Sequence, residues 1–299
     1  MPVIGYIGLG AAGEDPLVVG SFRRGLEDAG FVENRNVVIE YRWAAGRHDR
    51  IPELVADLIR RGVALICTSA NAPTLAAKAA TTAIPIVFIV GLDPVRMGLV
   101  SAINRPGGNA TGVAFLTSSL VPKSVELVRE LLPQAQLVAA LMNPNNPNAE
   151  SHVKDLQAAA RSVMLQMQVL SAASVTEIDA AFMALNPHRA DALVLTSDPL
   201  FNLQRHRIVE LAARYRVAVV YPWRDFADIG GLLSYGNSLT DAIRQVGVYA
   251  GRILKGEKPA DLPVWVPTKF ELIVNLKTAN ALGIAVPQSI LVRADEVLE

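Results

Sequence analysis

Gly8-Leu9-Gly10-Ala11-Ala12-Gly13 matches G-x-G-x-x-G, the spacing with which a strand-to-helix turn cradles a dinucleotide pyrophosphate. Glycines let such a backbone turn tightly and approach the phosphates, whose charge then sits at a helix N-terminus. The same chemistry needs an acidic residue at the tip of the next strand, about 20 positions on, to hold the ribose hydroxyls. Here the next strand reads NVVIEYRWA, and Glu40 comes late and inside the strand, with Trp43 or Ala44 at its tip. Glu14 and Asp15 follow the loop directly and would repel a pyrophosphate. The residues favour a tight small-residue turn with backbone donors facing a ligand, while an NAD(P)-dependent oxidoreductase stays open as the alternative.

Other strand ends carry neutral polar groups. Thr68-Ser69-Ala70-Asn71-Ala72-Pro73-Thr74 opens a helix, and a helix start with hydroxyls and free N–H groups suits a carboxylate or serves as an ordinary N-cap. Asp93-Pro94 and Asp198-Pro199 fall in corresponding places of the two halves, so either aspartate could hold an ammonium group or cap a turn. Asn143-Pro144-Asn145-Asn146-Pro147-Asn148 is a stiff loop dense in amides. Tyr221-Pro222-Trp223 could line a pocket or cover a sheet edge.

Catalytic arrangements are missing from this inventory. His48, His152, His188 and His206 show no metal-ligand spacing, and Cys67 stands alone at the end of the apolar run VALIC, so neither a metal site nor a disulfide is expected. The sequence carries neither a G-x-S-x-G elbow nor a Walker A loop. Lys plus Arg total 28 and Asp plus Glu total 28, which leaves no basic footprint for nucleic acid. Polar neutral groups without a base or nucleophile describe a site that holds a ligand and leaves it unchanged.

The elements that must position these groups are short β-branched runs alternating with amphipathic stretches. Strands are expected at 3–7, 37–41, 64–67, 84–89, 112–115, 137–141, 166–170, 192–195 and 217–220, with helices at 17–29, 51–61, 123–132, 149–163 and 205–214 between them. Such alternation implies parallel sheets covered on both faces by helices. The segment 117–122 breaks the alternation at mid-chain, and a further strand at 230–236, a long helix at 240–254 and a strand near 263–266 follow later. That order suggests two sheets, with the chain returning once to the first.

The segments GLEDAGFVENRNVVIEYRWAAGRHDRIPELVADLI, AAKAATTAIPIVFIVGLDPVRMGLVSAINRPGGNATGV, LMNPNNPNAE and GRILKGEKPADLPVWVPTKFELIVNLKTANALGI together resemble the periplasmic substrate-binding proteins of ABC transporters, in the family that includes tryptophan- and phenylalanine-binding members. The resemblance covers essentially the whole chain, and RPGGNATGV and PTKFELIVNLKTANALG are its most specific motifs. It implies an α/β type I periplasmic-binding-protein fold, two Rossmann-like lobes with parallel sheets joined by three hinge strands and closing on a ligand in the cleft. Lobe one is expected at 1–116 plus 238–258, and lobe two at 117–237 plus 259–299. Matched by position, the ligand residues are Gly10, Ala11, Ala12, Ser69, Ala70, Asn71 and Asp93 from lobe one, and Asn143, Asp198, Tyr221 and Trp223 from lobe two, with Thr117 and Tyr235 near the hinges.

The implied function is that of an extracytoplasmic receptor, not an enzyme, binding an amino acid or aromatic carboxylate and delivering it to an ABC membrane permease. A monomer without cofactor is expected. Relatives normally begin with an export or lipoprotein signal; none precedes the first strand in this sequence, so a periplasmic location is expected with the signal either removed or lying outside it. The sensory core of a regulator is a further alternative with the same fold, which the absence of a helix-turn-helix segment and the zero net charge disfavour.

Overall fold

The computed structural model describes residues 1–10, 13, 16–116, 120–188 and 190–299. The chain divides into two compact units, Met1–Leu116 with Leu239–Pro267, and Thr117–Ser238 with Thr268–Glu299. It starts in unit 1 with β1 (Val3–Gly8), α1 (Pro16–Asp28), β2 (Val38–Trp43), α2 (Ile51–Arg60), β3 (Leu65–Thr68), α3 (Asn71–Ala80), β4 (Ile86–Val90) and β5 (Ala110–Ala114). Unit 2 follows with α4 (Leu120–Leu131), β6 (Leu137–Met142), α5 (Ala149–Ser162), β7 (Gln166–Ser171), α6 (Val175–His188) and β8 (Ala192–Leu195). It continues with α7 (Pro199–Leu203), α8 (Arg205–Tyr215), β9 (Ala218–Tyr221), α9 (Arg224–Asp228) and β10 (Leu233–Gly236). The long helix α10 (Leu239–Leu254) returns to unit 1, and β11 (Glu271–Asn275), α11 (Leu276–Leu282), α12 (Gln288–Arg293) and β12 (Glu296–Leu298) finish unit 2.

Unit 1 carries a parallel sheet in the order β2-β1-β3-β4-β5. Its inner strands LICT and IVFIV are buried at every position, as expected of strands with helices on both faces. Unit 2 repeats the order as β7-β6-β8-β9-β10 and extends it with β11, antiparallel to β10, and then β12. In both units the strand order reverses beside the first strand, between β1 and β3 and between β6 and β8. Ligands of open parallel sheets collect at such switch points, beyond the carboxyl ends of the strands.

Each sheet has its own apolar core, Ile7, Leu58, Ile66, Phe88 and Val113 among the buried residues of unit 1, and Val125, Val138, Leu156, Val194 and Val274 in unit 2. Full burial of such side chains contributes about 1.5–3 kcal/mol each before the ordering cost is charged. What recruits α10 to unit 1 is a seam of small residues against α1. A Cβ on Gly25 would lie 1.9 Å from the Arg244 carbonyl oxygen, and one on Gly247 would lie 2.2 Å from that of Phe22. The two helix backbones therefore touch, and the Arg244–Asp28 ion pair at 2.6 Å flanks the seam.

Two expectations need correcting. The run 263–266 is not a strand. Trp265 alone bridges β5, donating to the Gly112 carbonyl (2.8 Å) and accepting from the Ala114 N–H (3.0 Å), because Pro263 and Pro267 on either side lack the N–H a ladder requires. Residues 259–267, expected in the second lobe, accordingly belong to unit 1, where Thr111 Oγ1 also donates to the Leu262 carbonyl (2.7 Å) and Val264 enters the core. The basic pair Arg60-Arg61 is a solvated, paired face: Arg61 meets Glu40 and Asp57, the two carboxylates that also flank Arg42. Among the described residues no helix is long and apolar enough to cross a membrane.

Candidate functional site

At the unit 1 switch point the glycine loop is tied down by its backbone. The carbonyls of Gly8, Leu9 and Gly10 accept from the N–H groups of Ala44, Gly46 and Ala45 at 2.9, 2.8 and 2.9 Å, so the turn is laced to the loop after β2. Gly8 also leaves room for an aromatic ring: a Cβ there would stand 2.3 Å from the Trp43 ring, which lies across it and stacks on Tyr41 at 6.0 Å. Glu40, the acid that a dinucleotide reading would need, is held by Arg42 and Arg61 instead. Gly10 is buried, whereas Ala11, Ala12, Glu14 and Asp15 lie outside the described residues.

The start of α3 sits beside this turn. Ala70 caps the helix in an extended conformation with no side-chain cap bond, while Ser69 sends both its N–H (3.2 Å) and its hydroxyl (3.3 Å) to the Ile7 carbonyl. Buried Thr74 donates to the Ala70 carbonyl at 2.6 Å, so the Thr68 hydroxyl is the donor in the 2.7 Å contact between the two threonines. Asn71 Oδ1 accepts from the Gly91 N–H at 3.0 Å and joins the loops after β3 and β4. Asp93 folds back on its own turn, its Oδ1 accepting from Val95 N–H (2.8 Å) and Arg96 N–H (3.3 Å).

Unit 2 meets the same topological position with charged and amide groups. Asp198 is 6% exposed and caps α7, with Pro199 at the first helical position. Its Oδ1 accepts from Leu200 N–H (2.8 Å) and Asn143 Nδ2 (3.2 Å), and its Oδ2 from Asn146 Nδ2 (2.7 Å). The amide oxygens turn the other way, Asn143 Oδ1 accepting from Asn145 N–H (3.0 Å) and Asn146 Oδ1 from Asn148 N–H (2.9 Å). Asn143 and Asp198 are therefore brought together, and Asn146 joins them as a member that sequence reading did not single out. Its signal was the repeat of an amide three residues along the same loop.

The aromatic candidates sit differently. Tyr221 is fully buried and stacks on Phe226 at 4.9 Å, and burial pushes its phenol pKa up. Trp223 is buried at the cap of α9, and half-buried Tyr235 stacks on Phe270 at 5.8 Å. Thr117 lies outside the described residues. Trp43 is the aromatic that sequence reading passed over as a strand tip; it is part-exposed, and the adjoining Tyr41 phenol is pushed up to about 12, by burial first and by Glu33 next. Arg205, also unremarked in the sequence, is a buried cation whose guanidinium donates to the Asn202 carbonyl at 3.0 Å.

Nothing in this set is a catalytic pair. Burial raises the Cys67 thiol and holds His152 below the ordinary imidazole range, and among the described residues no His, Cys, Asp and Glu cluster could hold a metal. The arrangement can accept, donate and exclude water, which is binding chemistry.

Comparison with known proteins agrees with that reading. The family model described as ABC transporter substrate binding protein matches residues 14–298. A protein named tyrosine-binding protein from Clostridioides difficile is 25% identical over 261 residues, covering 87% of this chain and 75% of that protein. Among solved structures, a conserved domain protein from Vibrio cholerae superposes with a TM-score of 0.88 at 24% identity, covering 99% of each chain. An ABC domain from Streptococcus pneumoniae in complex with L-Trp gives 0.87 at 24% identity, again over 99% of both. These two share the fold, α/β with two parallel-sheet lobes of the type I periplasmic-binding kind.

Proposed function

We propose a function from one premise: this chain belongs to the family of ABC transporter substrate-binding proteins, which bind solutes and are not enzymes. It is the receptor of an importer, located outside the cytoplasmic membrane and in the periplasm where one exists, and it passes its ligand as a monomer to an ABC permease. The ligand is an amino acid with an aromatic side chain. Ser69 and Asn71 at the start of α3 are the carboxylate contacts of unit 1, and Asn143 is the contact of unit 2.

The observation that carries this reading is the chemistry of the strand ends at the two switch points, which among the described residues are lined by backbone donors, hydroxyls and amides, with no paired base and nucleophile. Support for the ligand class comes from the relative named for tyrosine and the neighbour holding L-Trp. The part-exposed Trp43 ring beside Gly8 offers an aromatic surface in unit 1.

A thermal-shift screen of the twenty amino acids, followed by calorimetry, tests it. A ligand that binds only the folded state raises the melting temperature, so L-tyrosine, L-tryptophan or L-phenylalanine should stabilise the protein with 1:1 stoichiometry. Ser69→Ala and Asn143→Ala should each weaken that ligand about tenfold, the worth of one hydrogen bond to a charged group. No response to any aromatic amino acid would overturn the ligand class, and unchanged affinity in both variants would overturn the site.

A further inference from the structure

We propose that Asp198 is a positioning residue: it touches no ligand atom, and it fixes the direction in which the Asn143 and Asn146 amides point at the unit 2 switch point. The inference rests on the reading that this strand end meets the ligand, and it replaces the expectation that Asp198 holds an ammonium group.

The geometry points this way because the carboxylate is already crowded with donors. An ionised carboxylate offers about four lone-pair sites, and the Leu200 N–H, Asn143 Nδ2 and Asn146 Nδ2 occupy three. An ammonium would have to displace one of them or squeeze beside all three. Each asparagine is held at both ends, Nδ2 on the carboxylate and Oδ1 on a backbone N–H two residues ahead. Flipping either amide would set its oxygen against the carboxylate and strip that N–H of its acceptor, so one orientation prevails.

Ligand recognition then falls to what the network leaves over. Asn143 has two N–H bonds and an oxygen with two lone pairs; one of each is committed, and it is 7% exposed. The N–H that a buried neutral amide has to spare suits a carboxylate, which both L-tyrosine and its analogue without the amino group carry, and the negative charge behind it orients the amide without contacting the ligand. Asp93, the other aspartate considered for an ammonium, spends its Oδ1 on Val95 and Arg96 N–H groups in the same manner.

The test compares L-tyrosine with 3-(4-hydroxyphenyl)propionate, its analogue without the amino group, by calorimetry on wild type, Asp198→Asn, Asn143→Ala and the double variant. Asp198→Asn cannot accept from both amides, so it should weaken both ligands by the same factor, about tenfold. On the Asn143→Ala background the same change should cost less than about twofold, since coupled groups are not additive. A loss confined to L-tyrosine would mean a direct ammonium contact, and additive losses would mean general damage; either overturns the proposal. Should Asp198→Asn fail to fold, Asp198→Ser keeps a cap for α7 while removing the amide partner.

A readout without ligand separates this proposal from the functional reading. The side-chain amide resonances of Asn143 and Asn146 should shift and lose exchange protection in Asp198→Asn. Unmoved resonances would sink the positioning role whatever binds. Moved resonances together with a wild-type protein that ignores both probes would sink the ligand assignment alone.

Discussion

The two switch points share one strand order and are built by opposite means. Beside β1 in unit 1 the structure depends on a side chain that is missing, Gly8 leaving room for the Trp43 ring, and away from the switch point the same device recurs where Gly25 and Gly247 let α10 lie backbone to backbone on α1. In unit 2, between β6 and β8, the structure depends on side chains that are present, a buried carboxylate gathering two amides and a helix N–H. Backbone lacing tolerates change in side-chain chemistry but not in volume. A side-chain network has the reverse sensitivity, and so the two units should fail under different substitutions.

The largest effect is expected where volume is added to unit 1. Gly247→Val places its branched carbon in the space of the Phe22 carbonyl, which a Cβ would already approach to 2.2 Å, and a helix backbone has no rotamer by which to escape. Urea denaturation should show a loss above about 3 kcal/mol, or no folded unit 1 at all. Stability within about 1 kcal/mol of wild type would mean that the seam opens cheaply. The distinction between the two units would then lose its clearest instance.

A smaller loss should follow from removing a side chain in unit 2, far from the site. Arg129 donates to four backbone carbonyls, Val163 (3.0 Å), Pro133 (2.8 Å), Ala135 (2.9 Å) and Met164 (2.9 Å), and so joins the turns that lead into β6 and β7. Arg129→Ala should cost about 2 kcal/mol, the price of several orphaned carbonyls partly returned to water. Arg129→Lys should recover little, because a single ammonium cannot span the fork of four acceptors. Ligand affinity should stay within about twofold in both, since these turns lie at the opposite ends of the strands from Asn143. Full recovery by lysine would show that charge, not the planar fork, holds the turns.

Legibility in the sequence follows the same division. Apolar runs such as IVFIV and the periodic stretch after Ile51 announce buried strands and amphipathic helices, because burial on a sheet or a helix face is a local pattern. Four other features were not readable that way. β11 (ELIVN) runs directly into a helix, its own last residue Asn275 serving as the N-cap, β12 is three residues long, and the Pro263–Val266 run has apolar content but lacks the donors of a strand. The seam of Gly25 and Gly247 joins positions at opposite ends of the chain, and a helical glycine carries no sign of its partner. At the site, the sequence offered Asp198 as either cap or ligand contact, and the answer lay in amides more than 50 residues away. Side-chain orientation of this kind is set by tertiary hydrogen bonding, which no local spacing encodes.

The smallest effect expected is on pH dependence, and it separates the units by conditions instead of by substitution. His152, 2% exposed on α5, sits one turn past the amide loop, and burial lowers its pKa from 6.5 with Asp155 opposing only in part. Its folded pKa thus lies below the unfolded one. Above about pH 6.5 both states are neutral and no penalty exists. As pH falls from there toward the folded value, the unfolded chain takes up a proton that the folded chain refuses, and stability is lost by at most about 1.4 kcal/mol per pH unit. Hydrogen exchange at pH 6.5 and 5 should therefore show α5 and its neighbours opening more readily at the lower pH, with β3 and β4 of unit 1 much less affected. His152→Gln, neutral throughout, should remove that difference. Equal acid sensitivity in the two units, unchanged by the variant, would place the response in the surface carboxylates instead and erase this part of the contrast.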